Sequence, residues 1–136
     1  MIPKFRVWEK ENKIMWNIER WHIEDEYFDL IEPNKSVVDP NANRTWLKQS
    51  DVIIMQSTGL FDENDKEIFE GDVVETIYCE KLFTGIIVYD QEETGFKATN
   101  GHDEYGNNFC YLGGNDSNIV IGNIYQNPEL LKEVEK

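Results

Sequence analysis

The stretch TGLFDENDKEIFEGDVV, Thr58–Val74, sets a run of acidic and amide side chains between apolar residues and ends in Gly-Asp-Val-Val. An EF-hand calcium loop needs oxygen ligands at loop positions 1, 3 and 5, glycine at 6 and a bidentate acid at 12. Counted from Asp62, position 3 is Asn64, but position 5 is Lys66, position 6 is Glu67 and position 12 is Val73. The match fails. A β-hairpin accounts for the same residues, with Phe61 and Ile68 flanking Asn64-Asp65, two residue types that tolerate positive φ. Gly71 then marks the hand-over to the next strands, at a position expected to need a conformation that a β-carbon hinders.

Downstream of that glycine the rhythm is short and even. DVVETIYCE, TGIIVYD, GFKATN, NFCYLG and NIVIGNIY read as five strands joined by KLF, QEET, GHDEYGN and GNDS. Five short strands with tight turns predict a small, strongly bent barrel of the SH3 type, over residues from about 57 to 126, filled by Val74, Ile77, Ile87, Phe96 and Ile121. NPELLKEVEK closes the chain as a short helix over about 127–136, with Asn127 as cap and Pro128 at the first helical position.

Upstream, KFRVWEK and KIMWNIERW flank Glu11-Asn12 and predict an N-terminal hairpin, followed by the strand-like YFDLIEP. Pro33–Asn43 reads as a surface loop. TWLKQS is compatible with a helical turn or the start of a strand, and DVIIMQST reads as a strand buried on both faces. The expected architecture is therefore mainly β (β-rich α+β), with an N-terminal hairpin part over about 1–56. At 136 residues the chain fits one domain.

Twenty-seven acids against thirteen bases give a net charge of −14. That balance repels a phosphate backbone and an anionic membrane surface, so direct binding of nucleic acid or of membrane is not expected. No apolar run reaches the length of a membrane span and Met1-Ile2-Pro3-Lys4 opens no signal peptide, so a cytoplasmic protein is expected. Cys79 and Cys110 lack CxxC spacing and read as buried reduced thiols.

Three segments carry a resemblance to a known family. MQSTGLFDENDKEIFEGDVV (Met55–Val74), PKFRVWEKENKIMW near the start and VIGNIYQNPELL (Val120–Leu131) resemble, in the same order, motifs of the YopX family of phage and prophage proteins. Asp65 stands where the family usually has a turn glycine, and Gly113-Gly114 falls in a variable region. The resemblance implies a β-rich protein of a bacterial host, with an SH3-like barrel in its C-terminal half. It supplies no catalytic residue to carry over.

Signals for chemistry are sparse. His22 lies on a strand, whereas His102 lies in the polar loop NGHDEYGNN beside Asp103, Glu104 and Tyr105, which makes His102, Asp103 and Tyr105 the weak candidate site for a small hydrolase-like enzyme. A zinc site would have to combine Cys79, Cys110, His22 and His102, all lone residues. No P-loop, Rossmann or nucleophile-elbow pattern occurs, and LGGND lacks the following helix and lysine. No cofactor or metal is expected, and the chain is read as a non-enzyme.

Aromatic residues are the stronger signal. On a pleated strand Trp16 and Ile18 share one face, and Met15, Asn17 and Glu19 the other. Trp8, Trp16, Trp21, Tyr27 and Phe28 cannot all turn inward on short hairpins, so they are the candidate interface of a homo-oligomer or of a contact with a host or phage protein. The competing reading is an acidic nucleic-acid mimic seated in the basic groove of a host protein. Its carboxylates would need a spacing of about 6–7 Å, which i to i+2 positions on a strand supply. Glu24/Glu26 and Glu63/Asp65 have that sequence spacing.

Overall fold

The computed structural model describes residues 4–78, 81–92, 94–99, 109–111 and 118–130. The chain forms two compact units, one of residues Lys4–Gln56 and one running from Ser57 onward.

The first unit is an antiparallel sheet of β1 (Phe5–Glu9), β2 (Ile14–His22), β3 (Tyr27–Ile31), β4 (Arg44–Lys48) and the opening half of β5 (Val52–Phe61), in the order β4-β3-β2-β1-β5. β1 and β2 pair around residues 10–13, where Lys13 takes φ 57° and its N–H donates to the Glu9 carbonyl at 2.9 Å. The buried Glu9 side chain closes the same turn: one carboxylate oxygen accepts the Trp16 indole N–H at 3.0 Å and the other the Asn12 amide. Period-two alternation gathers Val7, Trp16, Phe28, Leu30 and Val52 into one core, with Ile18, Trp21, Leu47 and Ile54 packed against it.

Strict alternation would send Trp21 to the opposite face from Trp16 and Ile18. A bulge between Ile18 and Arg20 changes the phase, setting Trp21 opposite Phe28 with ring centroids 5.1 Å apart. TWLKQS holds both of its expected alternatives in succession: β4 ends at Lys48 and a 3-10 turn spans Gln49–Asp51. The loop before β4 is anchored by Arg44, whose guanidinium donates to the Val37 carbonyl at 2.5 Å, the Asp39 carbonyl at 3.0 Å and the Glu19 carboxylate at 3.2 Å.

In the second unit the end of β5 pairs with β6 (Glu67–Phe69) through Ser57↔Phe69 and Phe61↔Glu67, so the stretch Thr58–Val74 does form a hairpin. Asp65 is at φ 61°, inside the turn. Gly71, at φ 85°, separates β6 from β7 (Asp72–Tyr78). β8 (Lys81–Asp90), β9 (Gly95–Thr99), β10 (Phe109–Tyr111) and β11 (Ile119–Asn123) complete a second antiparallel sheet in the order β10-β9-β8-β7-β11. Its core holds Ile68, Val74, Ile87 and Ala98, backed by Phe83, Phe96 and Val120.

Three expectations change here. The described strands form an open order with β10 and β11 at its ends, and not a closed barrel. Ile77 is not core: it pairs with Leu82 near the β7–β8 turn, and both are exposed. The C-terminal segment begins with a 3-10 turn at Pro128–Leu130, and residues 131–136 of the expected helix lie outside the described residues. The Asn127 side chain does not cap forward. Its Oδ1 accepts the Asn123 N–H at 3.2 Å, folding the turn back onto the end of β11.

Candidate functional site

The acidic hairpin is built around one carboxylate. Asp62 is buried, and its Oδ1 accepts the N–H groups of Asn64 at 2.8 Å and Lys66 at 2.9 Å, an Asx turn that holds the hairpin tip. Its Oδ2 accepts the Val120 N–H at 2.9 Å, and the Glu63 N–H donates to the Asn118 carbonyl at 3.0 Å, so the tip is stitched to β11. Burial alone would push the Asp62 carboxyl up; the bonds from Val120, Lys66 and Asn64, together with the Lys66 charge, outweigh it and hold the group below its ordinary value. Both oxygens are committed to backbone donors, which is a structural use and not a ligand site.

The rest of the motif is equally structural. The Gly71 N–H donates to the Ile87 carbonyl at 3.0 Å and its carbonyl accepts the Ile124 N–H at 3.0 Å. The buried Asp72 carboxylate accepts the Phe69 N–H at 2.8 Å. Met55–Val74 thus carries the wiring of the second unit.

A different surface has the residue types that recognition uses. On the sheet face opposite the first unit's core, His22 and Asp29 meet at 2.8 Å. Tyr27 stacks on the His22 ring at 4.1 Å, and Trp46 stands edge-on to Tyr27 at 6.0 Å. The register sets two rows across β2, β3 and β4: Arg20, Asp29 and Trp46 in one, His22, Tyr27 and Lys48 in the next. Trp46 is 61% exposed, and Arg20 and Lys48 are exposed beside it.

Of the five residues expected at an interface, Trp16 and Phe28 lie in the core, Trp8 is buried, and Trp21 is packed between Phe5 and Phe28. Trp8, alternating with Val7, also falls on the face away from the core but is buried there, so of the five Tyr27 alone stands beside the exposed Trp46. Trp46 takes the place of the others; its signal was the alternation Arg-Thr-Trp-Leu-Lys, which puts an indole and two cations on one side of a strand. His102, Asp103 and Tyr105 lie outside the described residues. Glu24, Glu26, Glu63 and Asp65 all sit on turns, so the strand spacing that a nucleic-acid mimic requires does not hold for them. Among the described residues no group of three or more His, Cys, Asp or Glu side chains is placed to hold a metal, and no helix is long and apolar enough to cross a membrane.

Comparison with known proteins places this architecture. The family model described as YopX protein matches residues 4–132. The chain belongs to the YopX family. Among solved structures, this YopX-family chain is similar to the crystal structure of protein EF1440 from Enterococcus faecalis, with 26% sequence identity, a TM-score of 0.57, and 96% of this chain and 99% of that chain covered. No curated protein matches it.

Proposed function

We propose that this chain is a non-catalytic interaction module of phage or prophage origin, working in the bacterial cytoplasm by self-association. The observation that carries the reading is Trp46, an indole 61% exposed at the centre of β4, continuous with Tyr27 and His22 on one sheet face. Tryptophan and tyrosine are enriched where proteins meet, and an aromatic face that a single chain leaves open marks a contact. Charge supports the β4 edge: residues 40–50 contain Arg44 and Lys48 and no Asp or Glu, and the carboxylates nearest to them on the face, Asp29 and Glu19, are bonded to His22 and Arg44, which eases the approach of two copies of a chain at −14.

The same charge balance argues against a nucleic-acid partner, since no broad cationic face is available to displace counterions from phosphates. We read the second unit as an opened relative of the small SH3-type barrel, supplying a scaffold and not a reaction centre.

Static light scattering at micromolar concentration in physiological salt tests the proposal. A mass above the 16.0 kDa of one chain, rising with concentration, is expected. A mass of one chain throughout contradicts it.

A further inference from the structure

β4 ends the strand order of the first unit, and its backbone is half used. The Gln49 N–H donates to the Glu26 carbonyl at 2.8 Å and the Glu32 N–H to the Asn43 carbonyl at 2.9 Å. With the register Tyr27↔Lys48 to Ile31↔Arg44 between them, antiparallel alternation turns the N–H and C=O groups of Asn43, Thr45, Leu47 and Gln49 toward β3. Those of Arg44, Trp46 and Lys48 point outward, toward no described strand. Such an edge is a template for another strand.

We infer that the occupant is the same edge of a second copy, joined antiparallel about a two-fold axis at Leu47, with Trp46 of each chain against Lys48 of the partner subunit. This rests on the self-association proposed above and names its surface and register. Only outward-pointing residues can exchange bonds, so a two-fold pairing centred within the strand has its axis at Thr45, Trp46 or Leu47.

An axis at Trp46 sets Arg44 opposite Lys48 twice, and like charges directly opposite are unfavourable. An axis at Thr45 sets Arg44 opposite Trp46, yet that guanidinium is already committed to Glu19, Asp39 and Val37, and the loop it anchors lies at that end of the strand. An axis at Leu47 has neither fault. It pairs Trp46 with Lys48 in both directions, with reciprocal backbone bonds at each pair, and opposes Arg44 only to a serine, Ser50. The Lys48 ammonium then lies on the face side of the exposed indole, a cation–π pairing that gives the edge its self-complementarity. The result is one continuous sheet across two subunits.

Lys48→Pro tests the inference with little disturbance of the single chain. Lys48 has φ −71° and ψ 147°, which proline adopts, and its N–H is not bonded to β3, so the substitution removes an outward donor and the exposed ammonium and no bond to β3. Light scattering should give the wild type about twice the 16.0 kDa chain mass and Lys48→Pro one chain mass, with matching circular dichroism and a melting temperature that rises with concentration for the wild type only. Should Lys48→Pro fail to fold, Lys48→Glu decides, because it keeps the backbone donor and sets a carboxylate against the indole; dimer dissociation at tenfold or more higher concentration is expected. A dimer equally stable in the folded variants overturns the β4 assignment while leaving self-association standing. A monomeric wild type overturns both.

Discussion

The Asp62 carboxylate accepts the backbone N–H of Val120, 58 residues away in sequence, at 2.9 Å. This bond, with the two that the same carboxylate takes from Asn64 and Lys66, converts an acidic turn into the joint between a hairpin and a distant strand. Replacing Asp62 by Ala leaves three backbone donors to find other partners in a buried setting. A loss of about 2–4 kcal/mol is expected in urea unfolding at neutral pH, since each unsatisfied buried donor costs about 1–3 kcal/mol and some will recover water.

The pH dependence has a definite sign. Asp62 is held below its ordinary carboxyl value in the folded chain, so the unfolded chain binds its proton first as pH falls. The stability it confers is complete above the unfolded value of about 4 and is lost progressively as pH falls through the lower, folded value. Asp62→Asn should flatten the stability profile in that acid range relative to wild type while lowering stability at pH 7. An identical acid slope in both proteins would show that Asp62 does not contribute it.

Two glycines should respond for different reasons. Gly71 sits at φ 85°, so Gly71→Ala is expected to cost about 1 kcal/mol or more through backbone strain. In Gly85, on β8, an added Cβ would lie 2.9 Å from the Thr99 nitrogen and 3.0 Å from the Ala98 carbonyl carbon, both backbone atoms that cannot swing aside. Gly85→Ala should cost about 1–3 kcal/mol through overpacking between β8 and β9. Thermal melts of the two variants check both values, and a neutral Gly85→Ala would contradict the close approach of the two strands.

Calcium should leave the melting temperature unchanged, because the Asp62 oxygens are already occupied by N–H groups and the hairpin has neither the glycine nor the terminal acid of a calcium loop. A rise of several degrees with calcium and not with magnesium would contradict the structural reading of this turn.

How far the sequence can be read depends on whether a feature is local. The hairpin at Asn64-Asp65 and the special conformation of Gly71 are local, and turn chemistry reveals both. The partner of Asp62 is not: nothing in FDENDK points to Val120. The bulge at Ile18–Arg20 is equally hidden, and it changes which aromatics are inside by moving Trp21 onto the Trp16 face. Trp46 is hidden because TWLKQS mixes strand and turn; only the pairing Asp29↔Trp46 shows the indole to be outward on an edge strand. The open order of the second sheet depends on which strands meet, which short alternating segments do not specify.

The most direct measurement of the central claim is residue-resolved amide exchange along β4. Thr45 and Leu47 direct their N–H groups to β3 and should be protected in every state of the folded chain. Trp46 and Lys48 direct theirs outward, so their protection reports only on a second strand. The account predicts that at high protein concentration the Trp46 and Lys48 amides exchange slowly, and that their protection falls on dilution while that of Leu47 persists. Rapid exchange of Trp46 and Lys48 at every concentration, beside a protected Leu47, would contradict it.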